Sequence, residues 1–246
     1  GDLSQLPPVL AGEELQQHFS KMYESRFFFD AQCLRFSDLH RYELTKTFRQ
    51  TEQEFVATLN RLRTADITAE DMQKLNSRVD ARAGNSHEIT LTATRRLAED
   101  INRKELDLLP DTEQRFRAII NGAIDSSEFP AEETLRLKPG ARIMMLQNNG
   151  DTWQNGTLGT IVEFGHFDGK EAVKVRLPNG DFWLHRNTWE VIRYARDPAG
   201  PGLKEDVVGT FEQFPIRLAW AVTVHKCQGM TFDRVYINLD HQMFEH

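Results

Sequence analysis

The chain has 246 residues, of which 39% are apolar and 27% charged, and its formal net charge is −7. This composition supplies enough apolar material for a packed core and excludes an intrinsically disordered chain. The negative charge argues against a protein that coats duplex nucleic acid through a broad basic face, but it is compatible with a narrow basic groove. Because single domains usually have about 100 to 150 residues, we expect two compact units, with one large domain as the alternative.

No apolar run approaches the roughly 18 residues that a membrane-spanning helix needs, and the amino terminus lacks the pattern of a signal peptide. The two cysteines, Cys33 and Cys227, lie far apart and are not spaced as metal ligands, which favours free thiols in a reducing compartment. We therefore expect an intracellular protein, in the cytoplasm or nucleoid if bacterial, without a membrane partner, a disulfide or a bound metal.

The first part of the chain predicts helices that alternate with strands. Apolar residues at three- and four-residue spacing predict a helix over residues 12–30, and they place the triplet Phe27 to Phe29 in the core rather than on a binding surface. Residues 42–48 alternate as a half-buried strand, which delivers Arg49 to the start of the next helix.

Two capping boxes predict the starts of the next helices. They pair Thr51 with Glu54, for a helix through Arg63, and Thr68 with Asp71. A strand is predicted at residues 88–92 and a helix at residues 94–106. Because strands alternate with helices, we expect an α/β domain with a parallel sheet and helices on its faces.

Beyond Pro130 the sequence changes to short alternating runs separated by turn signals such as Asn155-Gly156 and Asn179-Gly180. The strands are predicted at residues 135–137, 141–146, 158–164, 172–177, 182–185 and 189–193. This density of short strands predicts a small β-barrel over residues 134–205, with residues 198–202 as the linker that leaves it.

The last segment returns to the α/β pattern. Residues 215–229 predict a helix, because Pro215 suits a first helical turn and Gly229 suits a left-handed end. The apolar residues that would form its buried face are Ile216, Ala219, Trp220, Val224 and Cys227. Residues 235–239 predict a strand, so the barrel is expected to be an insertion in one α/β domain.

Two short blocks suggest a nucleotide site. Residues 1–9, Gly-Asp-Leu-Ser-Gln-Leu-Pro-Pro-Val, resemble motif III of superfamily-one 5′-to-3′ DNA helicases of the Pif and RecD type, in which the glutamine, here Gln5, senses the terminal phosphate of ATP. Thr47-Phe48-Arg49-Gln50 resembles motif IV, which implies that Arg49 stabilises the charge developing on the γ-phosphate. Taken singly, Gln5 is an ordinary loop residue and Arg49 a surface ion-pair partner.

Residues 218–231, Leu-Ala-Trp-Ala-Val-Thr-Val-His-Lys-Cys-Gln-Gly-Met-Thr, resemble motif V of the same helicases. Hydroxyl, imidazole and ammonium groups donate to a nucleic-acid backbone without reading its sequence, which a motor that steps along any strand requires. A lone histidine is otherwise more often structural. The resemblance implies that the contacts to single-stranded DNA come from Thr223, His225 and Lys226, and that the residues lying towards the nucleotide are Gln228 and Gly229.

Residues 140–149 and 155–162 resemble the SH3-like insertion of these helicases. Within it, Asn148 and Asn149 are candidate contacts to the strand, although both residues also suit turns. The tryptophans of the insertion either stack on bases or fill the barrel. They are Trp153, Trp183 and Trp189.

Several motifs of the family are missing. The chain holds no Gly-x-x-x-x-Gly-Lys-Ser/Thr loop and no Asp-Glu dipeptide to bind Mg²⁺, and it ends before motif VI. Thr94-Arg95 also departs from the Thr-Asn that the family usually has. ATP and Mg²⁺ are therefore expected only in a longer enzyme, and neither is expected on this chain alone.

The resemblance implies an α/β fold with a RecA-like parallel sheet flanked by helices and an inserted small SH3-like β-barrel. Residues 1–12 would be a remnant of the first motor domain, residues 13–133 and 206–246 the second RecA-like domain, and residues 134–205 the insertion. The expected function is part of an ATP-dependent 5′-to-3′ DNA helicase, whose partners are single-stranded DNA and the first motor domain of the same protein.

Two alternatives remain open. A non-catalytic module that kept the groove and lost the motor would still bind single-stranded nucleic acid. A protein-interaction fragment would instead recruit a partner through the exposed aromatic residues of the barrel. The pathway, the preference for DNA or RNA, and the oligomeric state do not follow from these residues.

Overall fold

The computed structural model describes residues 13–25, 27–36, 40, 42, 52–79, 89–196, 203–232 and 234–238. The chain divides into two compact units, residues 1–83 and 84–246. Most of the strand predicted at residues 42–48 and the linker at 198–202 lie outside the described residues, as do Gln5 and Arg49. Within the described part, no helix is both long enough and apolar enough to cross a bilayer.

The first unit contains three described helices, α1 (Glu13–Met22), α2 (Gln53–Arg63) and α3 (Ala69–Asn76). Two short 3₁₀ turns, Phe28–Asp30 and Gln32–Phe36, follow α1. The predicted helix over residues 12–30 therefore ends early, where the Ser25 hydroxyl accepts a hydrogen bond from the backbone N–H of Phe27 and so offers the chain an alternative to the helix.

The core prediction for the Phe27 to Phe29 triplet is wrong for two of its members. Phe28 is 55% exposed and Phe29 is 49% exposed. In a 3₁₀ turn successive side chains point about a third of a turn apart, so three consecutive residues cannot share one buried face.

The two predicted capping boxes have different outcomes. The helix α2 is preceded by Glu52, whose side chain makes no cap, so the predicted start at Thr51 with Glu54 is wrong by one residue. The box at α3 is confirmed: Thr68 Oγ1 accepts from the Asp71 N–H at 3.2 Å, and Asp71 Oδ2 accepts from the Thr68 N–H at 3.1 Å.

Asp71 also ties α3 to α2. Its carboxylate, which is 1% exposed, accepts hydrogen bonds from the hydroxyl of Thr58 at 2.8 Å and from Nε of Arg61 at 2.7 Å. The hydrogen bond from Arg61, followed by those from Thr68 and Thr58, holds the pKa of Asp71 well below its usual range. A carboxylate with three such donors stays ionised at neutral pH and fixes the α2–α3 hairpin.

The second unit contains a three-stranded parallel sheet in the order β12–β1–β13. Its strands are β1 (Ile89–Thr92), β12 (Ala221–Thr223) and β13 (Val235–Asn238), and β1 leads into the helix α4 (Arg95–Leu108). The predicted strand and helix at residues 88–106 are thus confirmed within two residues at each end. Together with the parallel pairing, they establish an α/β fold.

The remaining strands form antiparallel sheets. They are β2 (Gln114–Arg117), β3 (Ile119–Gly122), β4 (Thr134–Leu137), β5 (Arg142–Met145), β6 (Leu158–Phe167), β7 (Lys170–Leu177), β8 (Gly180–Leu184), β9 (Asn187–Arg196), β10 (Leu203–Gln213) and β11 (Ile216–Leu218). All the strands predicted within residues 134–205 are confirmed. Four others were not predicted as strands, namely β2, β3, β10 and β11.

The described strands do not close into a barrel. Strands β11, β5, β6, β7 and β8 form one open five-stranded sheet in that order, and β3, β10 and β9 form a second sheet. Closure is prevented because β9 pairs along its whole length with β10 rather than returning to the first sheet. Pairing also extends past residues 134–205, since β4 pairs with β2 and β5 pairs with β11.

The helix predicted at residues 215–229 is wrong. This segment forms β11, β12 and a single-turn helix, α5 (Val224–Cys227). Its apolar residues are buried as expected, with Ile216 and Ala219 both 0% exposed, but burial alone does not distinguish a fully buried strand from a helix. Gly229 does adopt the predicted left-handed conformation, with φ of 85°.

A buried glutamine joins the sheets near this segment. Gln213, which is 0% exposed, donates from Nε2 to the carbonyl oxygen of Phe116 at 2.8 Å and accepts the N–H of Phe214 at 3.0 Å. Phe116 and Phe214 both belong to the main core cluster and their rings pack edge to face at 5.1 Å. Gln213 therefore fixes the corner from which β11 and β12 lead to the parallel sheet.

Candidate nucleic-acid interface

The three parallel strands end together at one edge of their sheet. Thr92, the last residue of β1, is in register with Thr223 of β12 and with Asn238 of β13. Ligands of open α/β sheets bind outside the carboxyl ends of the strands, where the connections to the following helices begin. We define residues 92–95 and 223–229 as the carboxyl edge.

The first connection of the carboxyl edge is a tight turn into α4. The Thr92 hydroxyl, fully buried, donates to the carbonyl oxygen of Thr94 at 3.0 Å, and Thr94 Oγ1 accepts the N–H of Leu97 at 3.3 Å. The first turn of the 14-residue helix contains no acidic residue. Its amino terminus therefore presents unneutralised backbone N–H groups to this edge, which favours an anion.

The second connection carries the residues predicted to bind the strand. Thr223 occupies the position before α5 in an extended conformation, and its side chain makes no cap to that helix. His225 and Lys226 are exposed, whereas Cys227 is buried and anchors the turn. The short helix thus exposes His225 and Lys226 to solvent, while the buried Cys227 holds the turn in place.

Positive charge gathers at the carboxyl edge although the whole chain is acidic. Desolvation by surrounding protein lowers the pKa of Lys226, and the nearby positive charges of Arg217 and Arg95 lower it further. Burial also lowers the pKa of Arg217, and its Nε has no hydrogen-bond partner among the described residues. Two of these three cations have a carboxylate nearby, because Arg217 is also attracted by Glu132 and Arg95 pairs with Glu99 at 2.6 Å. An anionic ligand would reduce the remaining repulsion among the three.

The structure brings only part of the predicted site together. Thr223, His225 and Lys226 lie on the carboxyl edge, and Gln228 and Gly229 follow after the buried Cys227. The loop that holds Asn148 and Asn149 lies next to the end of this segment. Its Gly156 packs so closely against the Met230 side chain that an added Cβ would lie 2.7 Å from Cε of Met230.

Within that loop both asparagines have turn-forming contacts. Asn148 Oδ1 accepts the N–H of Asn155 at 2.7 Å, and the backbone N–H of Asn149 donates to the carbonyl oxygen of Trp153 at 2.9 Å. The turn interpretation of Asn148 is therefore the one with structural support.

The three candidate stacking tryptophans differ in environment. Trp153 is buried in the main core, edge to face with Phe182, and Trp189 packs against Phe211. Trp183 is half-buried and lies parallel to the exposed ring of Phe167, with centroids 5.9 Å apart. Only Trp183 among the three belongs to a surface aromatic pair.

Two residues near the carboxyl edge were missed in the sequence. Asn102, on α4, exchanges two hydrogen bonds with the backbone of Ala221, and Arg217 contributes to the positive cluster. Asn102 and Ala221 are 119 residues apart, so no local pattern signals the contact. Arg217 alternates with apolar neighbours in β11 and resembles any strand residue.

Comparison with known proteins gives a consistent set of relatives, although no family model matches. The chain is 29% identical to the human ATP-dependent DNA helicase PIF1 and 27% identical to the Pif1 of Bdellovibrio bacteriovorus. These matches cover 97% and 100% of the chain, but only 36% and 52% of the relatives. The chain thus spans between about a third and a half of these proteins.

Solved structures agree with this result. A crystal structure of Bacteroides Pif1 bound to single-stranded DNA is 32% identical, with a TM-score of 0.73, over 96% of this chain and 54% of that one. A Bacteroides Pif1 complex with ADP-AlF3 and single-stranded DNA gives a TM-score of 0.74 at the same identity. The chain is therefore similar over nearly its whole length to part of the Pif1 DNA helicases, and the resemblance predicted from its motifs is confirmed.

Proposed function

We propose that the chain is the second half of the motor of an ATP-dependent 5′-to-3′ DNA helicase that acts on single-stranded DNA inside the cell. The observation that supports this best is the carboxyl edge, where a helix amino terminus, a threonine and a cluster of cations converge on one side of a parallel sheet. The similarity to ATP-dependent DNA helicases, and to a Pif1 structure bound to single-stranded DNA, supports the same function.

In this proposal the domain organisation follows the family. Residues 1–12 belong to the first motor domain, residues 13–133 and 206–246 to the second RecA-like domain, and residues 134–205 to an SH3-like insertion. The confirmed strands of residues 134–205 support the last assignment, with β2 and β11 extending its sheets.

The carboxyl edge would hold the phosphate backbone of the strand. Thr223 donates its hydroxyl, His225 and Lys226 supply polar and charged donors, and the amino terminus of α4 adds backbone N–H groups. Arg95, which is exposed and paired with Glu99 at 2.6 Å, stands where the family usually has asparagine and adds a cation to the same edge. None of these groups reads a base, so binding would be independent of sequence.

The nucleotide would lie between this chain and the first motor domain. Gln5, Arg49, Gln228 and Gly229 would contact it, because amide and guanidinium groups suit phosphate oxygens. The described residues offer no cluster of three carboxylate, histidine or cysteine side chains, so Mg²⁺ would be held by the nucleotide and the other domain. Closure of the two domains on ATP would then shift Thr223, His225 and Lys226 along the strand.

Because the nucleotide site needs the first motor domain as well, we predict that the chain alone does not hydrolyse ATP, even with single-stranded DNA present. We also predict that it binds a single strand weakly. The measurement is phosphate release from ATP with and without oligothymidylate. Substantial turnover by the isolated polypeptide would contradict the proposal, because ATP hydrolysis would then not require a phosphate-binding loop from another domain.

The alternative of a protein-interaction module has one structural feature in its favour. Phe167, which is 43% exposed, stacks on Trp183, and Lys174 Nζ lies 5.6 Å from the centroid of the Trp183 ring. If this pair carried the function, replacing Phe167 would abolish partner capture while changes at the carboxyl edge would have no effect.

A further inference from the structure

The side chain of Asn102 makes two hydrogen bonds with a single residue, Ala221. Its Oδ1 accepts the backbone N–H of Ala221 at 2.8 Å, and its Nδ2 donates to the backbone carbonyl oxygen of Ala221 at 2.8 Å. Ala221 is 1% exposed, so neither backbone group has water as an alternative partner. The amide of Asn102 thus satisfies both polar groups of this residue.

These two bonds occupy the side of β12 on which no strand is described. Strand β12 pairs on one side with β1, where the N–H of Thr90 donates to the carbonyl oxygen of Trp220 at 2.8 Å. The backbone groups of Ala221 point to the opposite side, on which β12 pairs with no other strand in the described part of the chain. An asparagine amide places a donor and an acceptor side by side, as a strand residue does.

The bonds connect the two segments that form the carboxyl edge. Asn102 lies on the same rigid helix as Thr94, about two turns further along, and Ala221 lies two residues before Thr223. Fixing Ala221 to α4 therefore sets the position of Thr223, His225 and Lys226 relative to the amino terminus of that helix. Phosphate groups bound to both segments would need this spacing to be constant.

We propose that Asn102 is a positioning residue for strand binding, which holds the Thr223 to Lys226 segment in register with the start of α4 without touching the strand. This inference rests on the proposed function. We predict that tight binding of single-stranded DNA requires one hydrogen-bond donor and one acceptor on the side chain of residue 102. A side chain of the same size without that pair is not expected to suffice.

The variant Asn102→Asp tests this requirement, because an ionised carboxylate can only accept and would face the carbonyl oxygen of Ala221. A protonated carboxyl has one donor and one acceptor and restores the pattern. We expect binding of labelled oligothymidylate, measured by fluorescence anisotropy at low salt, to be about tenfold weaker at neutral pH. The ratio to the wild type should approach one as the pH falls towards about 4.

The cavity of about 590 Å³ that Asn102 lines contains other titratable groups, which makes comparison with the wild type at each pH necessary. They are Arg95, Glu99 and Arg103 on α4, and Glu132, Glu133 and Arg136 on the facing segment. They titrate in both proteins, so the ratio of affinities cancels their effect to first order. Asn121→Asp, at an exposed site, controls for the added negative charge and should bind as the wild type does.

The outcomes separate this inference from the proposed function. Wild-type affinity of Asn102→Asp at neutral pH, with affinity lost in the double variant Thr223→Ala and Lys226→Ala, would overturn the inference alone. No loss in that double variant would overturn the proposed function. Weak binding of Asn102→Asp that does not recover in acid would indicate general damage and also contradict the inference.

A measurement on the wild type covers the case in which Asn102→Asp does not fold. The amide of Ala221 should exchange with deuterium as slowly as the amide of Thr90, which lies within the sheet. Fast exchange at Ala221 would show that Asn102 does not hold the strand, and would overturn the inference without any variant.

Discussion

Replacing Gln213 by leucine is expected to lower the free energy of unfolding of the second unit by about 3 kcal/mol, because leucine keeps the volume but not the polar atoms. The carbonyl oxygen of Phe116 and the N–H of Phe214 would lose their partners in the buried core. Each buried polar group left without a hydrogen bond costs about 1 to 3 kcal/mol.

Urea unfolding followed by tryptophan fluorescence would measure this loss, since Trp153 and Trp220 lie in the same core as Phe116 and Phe214. Gln154→Leu, at an exposed position, is the matched control and should change the free energy of unfolding by less than about 0.5 kcal/mol. Equal stabilities of the two variants would mean that Gln213 does not join the sheets.

The double variant Thr223→Ala and Lys226→Ala is expected to weaken binding of single-stranded DNA by at least about tenfold at low salt, because it removes a hydroxyl and a cation from the edge. If Lys226 contacts a phosphate, the slope of log affinity against log salt should also fall by about 0.7 for that lost contact. Anisotropy titrations of labelled oligothymidylate at several salt concentrations give both quantities.

Lys170→Ala is the control for charge, because Lys170 is exposed at the start of β7. It should leave the affinity close to that of the wild type. Unchanged affinity in the double variant would favour the protein-interaction alternative. Tight binding by the isolated wild-type chain, lost in the double variant, would favour the non-catalytic binding module.

The parts of the fold that could be predicted depend on local patterns. The capping box of Thr68 with Asp71 and the strands of residues 134–196 are encoded within a few residues each, by side chains that contact their own neighbours or by turn dipeptides. The order of strand, threonine and helix at residues 89–108 is local in the same sense, so the parallel sheet could be expected.

The parts that could not be predicted depend on distant partners. Residues 216–218 and 221–223 become strands because β5 and β1 pair with them, and nothing within residues 215–229 encodes that choice. The bonds of Asn102 and Gln213 reach residues about a hundred positions away. Apolar spacing was also misleading at Phe28 and Phe29, where a 3₁₀ turn interrupts the helical period.

Backbone amide NMR of the labelled chain during titration with oligothymidylate tests most directly whether the carboxyl edge binds the single strand. We predict that the signals of Thr94, Arg95, Thr223, His225 and Lys226 shift together with one dissociation constant, while those around Phe167 and Trp183 stay unchanged. Shifts confined to other surfaces, such as the one around Phe167 and Trp183, with these five signals unmoved, would contradict it.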